Sequence, residues 1–95
     1  MLFIKDSCPV CRTGTLGLRR CADGQSFVVM CDECETVWKS PALMSTANAL
    51  DAVSATFEVV ELGVAIAGGS AAWAGPQEIF AKGWGEYVAG MQPMA

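Results

Sequence analysis

The chain has 95 residues, a formal net charge of −4, five cysteines and no histidine. A chain of this length makes one domain and hides only about 60–65% of its unfolded surface, so an extra staple for the fold is expected. With 53% hydrophobic and 17% charged residues it is too apolar for disorder. The missing histidine excludes a Ser-His-Asp or Cys-His catalytic pair within the chain and limits any metal site to cysteine or carboxylate. A pI of about 4.5 argues against a nonspecific nucleic-acid binder, which needs clustered Lys and Arg.

In chain order, Met1 to Asp6 has neither a basic leader nor a signal-length apolar run, so a cytoplasmic protein with reduced thiols is expected. Leu2 to Ile4 reads as a short strand. Gly14 to Arg20 and Ser26 to Met30 are apolar or β-branched runs on either side of Cys21-Ala22-Asp23-Gly24-Gln25, and Asp-Gly supplies the positive φ of a tight hairpin turn. Thr36 to Trp38 reads as a further strand. Ser40-Pro41 resembles an N-cap and first helical residue, and Ala42 to Val53, rich in Ala, Leu and Met, is predicted helical at least in part.

Phe57 to Ile66 fits both a helical and an extended period. The longest uncharged stretch, Leu62 to Gln77, is shorter than the ~20 residues of a membrane span and is interrupted by glycines and Pro76. It is therefore expected to be a buried core segment with a turn at Gly68-Gly69-Ser70, and no membrane contact is expected. Gly75 to Gly83 carries Pro at its start, Glu in its first turn, Lys in its last and Gly as its stop, which predicts a short helix. Glu86 to Val88 is expected to be a closing strand.

Charge is segregated along the chain. The first 40 residues carry five basic and five acidic side chains, whereas from residue 41 onward only Lys82 opposes Asp51, Glu58, Glu61, Glu78 and Glu86. The whole net charge of −4 therefore lies in the C-terminal part.

All five cysteines fall within the first 34 residues. Cys8-Pro9-Val10-Cys11 and Cys31-Asp32-Glu33-Cys34 are two CxxC pairs with 19 residues between them, the spacing of a four-cysteine metal site. Each CxxC bends the backbone into a knuckle whose thiolates face one point, and a hairpin between the knuckles closes a tetrahedron. A redox dithiol and a pair of disulfides are the competing readings. Both are disfavoured by a reducing compartment and by the lack of a βαβ context. Cys21 is left over at the hairpin turn and is expected to be a small, partly buried residue.

The two CxxC pairs, with Gly14, the intervening hairpin and Trp38, resemble a zinc ribbon over roughly residues 3 to 40. That resemblance implies one structural Zn²⁺ per chain held by Cys8, Cys11, Cys31 and Cys34. Rubredoxins share the double knuckle and bind iron, but they normally carry glycine soon after each second cysteine; here Arg12 and Glu35 follow, which counts against iron electron transfer. The expected architecture is α+β: a zinc ribbon over residues 1–40 with an acidic, Ala/Gly-rich part over residues 41–95, holding one or two short helices, packed against it.

Arg12, Arg19 and Arg20 form no clustered basic stripe and are expected on a mixed-charge surface. Trp38, Trp73, Trp84 and Tyr87 are expected mainly in packing. Trp84, Tyr87 and Trp73 are also the candidate anchors for a protein partner, Trp84 foremost because it stands between Gly83 and Gly85. Glu58 and Glu61 have no nucleophile or histidine nearby and read as surface acids.

The leading expectation is a noncatalytic zinc-binding protein-interaction module, with a basic protein as partner, in a setting such as the immunity proteins that neutralise basic toxins. The alternatives are a nucleic-acid-binding ribbon serving transcription or RNA processing, and a thiol redox or metal-relay protein.

Overall fold

A computed structural model describes residues 2–53 and 55–91 of the chain. Its strands, in chain order, are β1 (Leu2–Lys5), β2 (Leu16–Arg20), β3 (Phe27–Cys31), β4 (Val37–Trp38), β5 (Glu58–Val59), β6 (Val64–Ala65), β7 (Ala72–Trp73) and β8 (Gly90–Met91). The single α-helix among the described residues, α1 (Pro76–Lys82), lies between β7 and β8. With antiparallel strands and one helix, the fold is the expected small α+β domain.

The β2–β3 hairpin is the centre of the sheet and pairs over its full length, from Leu16 opposite Cys31 to Arg20 opposite Phe27. Its turn is longer than a two-residue Asp-Gly loop. Asp23 Oδ1 accepts from the N–H groups of Gln25 and Ser26 at 2.9 and 2.8 Å, and Gly24 takes the expected positive φ of 74°. The sheet order is β4-β3-β2-β1-β8. The other edge of β2 is shared: β1 pairs with Leu16 and Gly17, and β7 pairs with Arg19 and Arg20. The C-terminal part thus supplies strands to the N-terminal sheet at two places.

Alternation along the strands sends side chains to two core layers. One contains Leu16, Leu18, Val29, Cys31 and Trp38 and is covered by Ile79 of α1. The other contains Cys21, Val28, Met30 and Val37 and is covered by the β5–β6 hairpin through Val59, with Ile66 just beyond it. Trp38 is wholly buried, and its indole N–H donates to the Ser45 carbonyl at 2.7 Å.

The helix predicted over Ala42 to Val53 is not formed. The chain makes two 3₁₀ turns, Pro41–Leu43 and Thr46–Asn48, the first with Ser40 at the N-cap and Pro41 at its start. Ser45 and Asn48 bond to each other, the tendency that draws such side chains out of helices. Leu50 is then extended and bridges Val37 through both backbone bonds. Phe57 to Ile66 resolves into the β5–β6 hairpin. Leu62 to Gln77 buries only Ile66 and Ala74 and otherwise wraps the surface, with the expected turn at Gly69-Ser70.

Helix α1 is as predicted. Glu78 Oε1 accepts from the N–H of Gly75 at its start, and Trp84 N–H donates back to the Ile79 carbonyl at its end. The closing strand forms at Gly90–Met91 and not at Glu86 to Val88, because a 3₁₀ turn over Gly85–Tyr87 follows directly on the helix stop. Among the described residues, no helix is long and apolar enough to cross a membrane.

Two arginines tie the halves together. Arg19 Nε donates to the Ile66 carbonyl at 3.0 Å, and its guanidinium lies 5.2 Å from the Trp73 ring centre. Arg20 Nε donates to the Ser70 carbonyl, and its Nη1 meets Glu78 Oε2 at 2.7 Å. The Arg20 hydrogen bond holds the Glu78 carboxyl below its ordinary range. That contribution is present above the unfolded carboxylate value of about 4.3 and is lost as pH falls through the folded value. Both side chains keep about 30% exposure, so Arg20→Met is expected to cost about 1 kcal/mol, near the upper end for exposed pairs. Urea unfolding from pH 7 to 3 should show the gap between wild type and variant narrowing with acid.

Candidate metal centre

The hairpin register builds the site. Leu16, just after the first knuckle, stands opposite Cys31, which opens the second. Each knuckle closes on a backbone bond: Cys8 N–H to the Gly14 carbonyl at 2.8 Å, and Cys31 N–H to the Thr36 carbonyl at 3.0 Å. The knuckles are joined to each other by Thr15 N–H donating to Asp32 Oδ1 at 2.8 Å and Thr13 Oγ1 donating to Glu33 Oε2 at 2.6 Å.

The four sulfurs of Cys8, Cys11, Cys31 and Cys34 lie within 4.8 Å of one another. Cys8 Sγ and Cys34 Sγ are 3.8 Å apart, and Cys11 Sγ and Cys31 Sγ are 3.6 Å apart. A tetrahedral ion with metal–sulfur distances of about 2.3 Å needs sulfur–sulfur edges of about 3.8 Å. The donor set therefore fits one tetrahedral metal ion.

Backbone amides point at the sulfurs as thiolates require. Val10 N–H faces Cys8 Sγ, Gly14 N–H faces Cys11 Sγ, and the Glu33 and Cys34 N–H groups face Cys31 Sγ, all at 3.3–3.5 Å. The Thr36 hydroxyl, the buried polar side chain of the site, lies 3.1 Å from Cys34 Sγ. Cys8 and Cys31 belong to the core layer beneath α1, Cys11 is half-buried and Cys34 is exposed. The centre thus seals the end of one core layer and shows one edge to solvent.

Arg12 and Glu35, each following a second cysteine, have φ of 65° and 58°. They hold the left-handed backbone that glycine adopts at lower cost, so the absence of glycine changes the sequence of the knuckle but not its shape. Gly14 is required for another reason: a Cβ there would overlap Cys31 Sγ.

Bonds from the Thr13 and Gly14 N–H groups pull the Cys11 thiol down to about 6, whereas burial pushes Cys31 up to about 12. Cys21 is wholly buried in the opposite core layer, away from the four, and burial raises it to about 11. It is a packing residue, more buried than its place at the turn implied.

The aromatic candidates are dispersed. Trp73 packs against the layer beneath β5–β6, under Arg19, while Trp84 packs against the layer beneath α1, with Lys82 Nζ 5.4 Å from its ring centre. Tyr87 is exposed on the 3₁₀ turn. The sequence reading missed Thr13, Thr15, Asp32 and Glu33 as linkers of the knuckles. The available signal was a Thr-Gly-Thr segment after one CxxC and two acids inside the other. Compared with protein-family models, curated proteins and solved structures, the chain has no match.

Gly14→Ala is expected to lower metal affinity about 10- to 100-fold, the range for losing contacts that orient a ligand. Competition with a chromophoric chelator measures it, and unchanged affinity would contradict the packing. Metal uptake must displace the Cys31 proton throughout the neutral range, while Cys11 adds little above pH 6. Affinity should therefore rise with pH by at least about tenfold per unit, and acid should release the ion.

Proposed function

We propose that the chain is a noncatalytic zinc-binding module that receives a basic segment of a protein partner at its second knuckle. Four thiolates complete the coordination shell and leave no position for substrate or water, which supports a structural ion. Zinc is the reading favoured by an all-cysteine tetrahedron with ribbon spacing.

The observation that carries the partner reading is a cavity of about 220 Å³ lined by Cys34, Glu35, Asp51, Ala52 and Phe57. Two of its residues, Glu35 and Phe57, hold positive φ without being glycine, and an aromatic residue held so is strained. Phe57 is kept there by its N–H to the Val53 carbonyl and its carbonyl to the Ile66 N–H, and it leaves 38% of its surface exposed. The cavity has the volume of one long side chain. Its two carboxylates stand beside a four-thiolate zinc centre, which itself carries a charge of about −2. An Arg or Lys stem can lie on Phe57 with its cation toward the acids. Arg19 and Arg20 are engaged within the fold, which removes the main basic surface that a nucleic-acid reading would use.

An NMR titration of the zinc-loaded chain with an Arg- and Leu-rich peptide tests this. Amide shifts should centre on Cys34, Glu35, Ala52 and Phe57. Affinity should fall about threefold or more between low and physiological salt, as screened charge pairs require. Asp51→Asn should weaken binding. Shifts elsewhere, or equal affinity for a DNA duplex, would overturn the reading.

A further inference from the structure

A second concavity, of about 380 Å³, lies at the far end of β3, where Phe27 and Val28 meet Lys39, Leu62, Val64, Lys82 and Trp84. Its origin is a strand that stops early. β4 pairs only Val37 and Trp38, against Met30 and Val29, and continuing the register would set Lys39 opposite Val28 and Ser40 opposite Phe27. The chain bends away there into buried Pro41 and leaves that stretch of β3 unpaired. Cys31 N–H bonds to Thr36 on the β4 side, so two-residue alternation turns the backbone N–H and carbonyl of Phe27 toward the same open edge.

The charges around this groove differ from those of the rest of the molecule. The chain has six basic residues, of which Lys39 and Lys82 both line this one concavity, and no carboxylate does. The nearby Asp23 is engaged within its turn by two N–H groups and by the Ser26 hydroxyl at 2.6 Å. Lys82 is steadied over the Trp84 ring. Leu62 and Val64, from the layer beneath β5–β6, and Phe27 and Trp84, from the layer beneath α1, meet at this open edge of the sheet and give the groove apolar and aromatic sides.

We propose that this groove binds a small organic monoanion with a flat apolar body. The body lies across the open edge of β3, against Trp84 on one side and Leu62 and Val64 on the other, and its carboxylate or other acidic head meets Lys39, Lys82 and the Phe27 N–H. The volume lies at the lower end of small-molecule sites and does not suit a macromolecule. Burial of the flat body provides most of the affinity, and the two ammonium groups select for charge. This site is separate from the second knuckle and does not depend on the reading given for it.

The test titrates the zinc-loaded full chain with 2-naphthoate, its neutral amide 2-naphthamide and inorganic phosphate, following the Phe27 and Val28 amides and the Trp84 indole by NMR. Saturable shifts with 2-naphthoate in the millimolar range or below are expected, with much weaker responses to the amide and to phosphate. Lys39→Gln with Lys82→Gln should weaken 2-naphthoate about tenfold, about 1.4 kcal/mol, with a native amide spectrum retained. Lys82→Arg should keep binding, and Lys5→Gln should leave it unchanged. Equal binding of the amide would show a site blind to charge, and equal binding of phosphate one blind to the apolar body. Either result, or no saturable shift at these residues, overturns the proposal.

Discussion

Convergence of Cys8, Cys11, Cys31 and Cys34 on one point is the constraint on which the rest of the structure depends. Structural thiolate sites in small peptides contribute on the order of 10–16 kcal/mol at neutral pH. Whole domains of ordinary size retain only about 5–15 kcal/mol. Even a fraction of such a contribution would outweigh any single contact in this fold. Two of the four cysteines, Cys8 and Cys31, are also members of a core layer, so metal binding would be coupled to packing through the same side chains.

The remaining elements are attached around that fixed end. The knuckles hold the β2–β3 hairpin in register, and the hairpin carries Arg19 and Arg20 at its opposite end. These two residues then fasten the C-terminal part through carbonyls, the Trp73 ring and the Glu78 carboxylate. Glu78 serves twice, accepting from Arg20 and from the start of α1. Net acidity is left at the second knuckle and along the surface, while Lys39 and Lys82 concentrate positive charge at the groove beside β3. A small domain thus has two concavities of opposite charge, one at the second knuckle and one at the far end of β3.

What was legible in the sequence follows from the range of the interactions involved. The CxxC pairs, the Asp23-Gly24 turn and the Pro76-to-Gly83 helix are written in residues close to one another, and all three are found. The segment from Ala42 to Val53 has the composition of a helix. Its conformation is decided by Ser45 and Asn48 bonding locally and by Leu50 reaching Val37, and only the first of these is local. The segment Phe57 to Ile66 fits both a helical and an extended period, with Glu58 and Glu61 among its apolar residues, and the choice of a hairpin is made by the core layer it covers. The roles of Arg19 and Arg20 depend on partners about 50 residues away and left no local mark. At the candidate metal centre the four converging cysteines were legible, but their supports were not. Asp32 and Glu33 look like solvated acids in a CxxC, and only the hairpin register places Thr13 and Thr15 against them.

Positive φ at Arg12, Glu35 and Phe57 places all the strained non-glycine backbone of the described residues at or beside the metal centre. Strain of this kind persists only where surrounding structure over-determines it. Backbone bonds to Val53 and Ile66 hold Phe57, and the bond to Cys8 holds Arg12. An ion on the four cysteines would add the strongest restraint to both knuckles. The most direct measurement is native mass spectrometry of the purified chain alongside far-ultraviolet circular dichroism, before and after chelation and for Cys31→Ser. One zinc per chain is predicted, lost together with the folded signal in both treatments. A folded protein that carries no metal, or that carries iron in place of zinc, would contradict it.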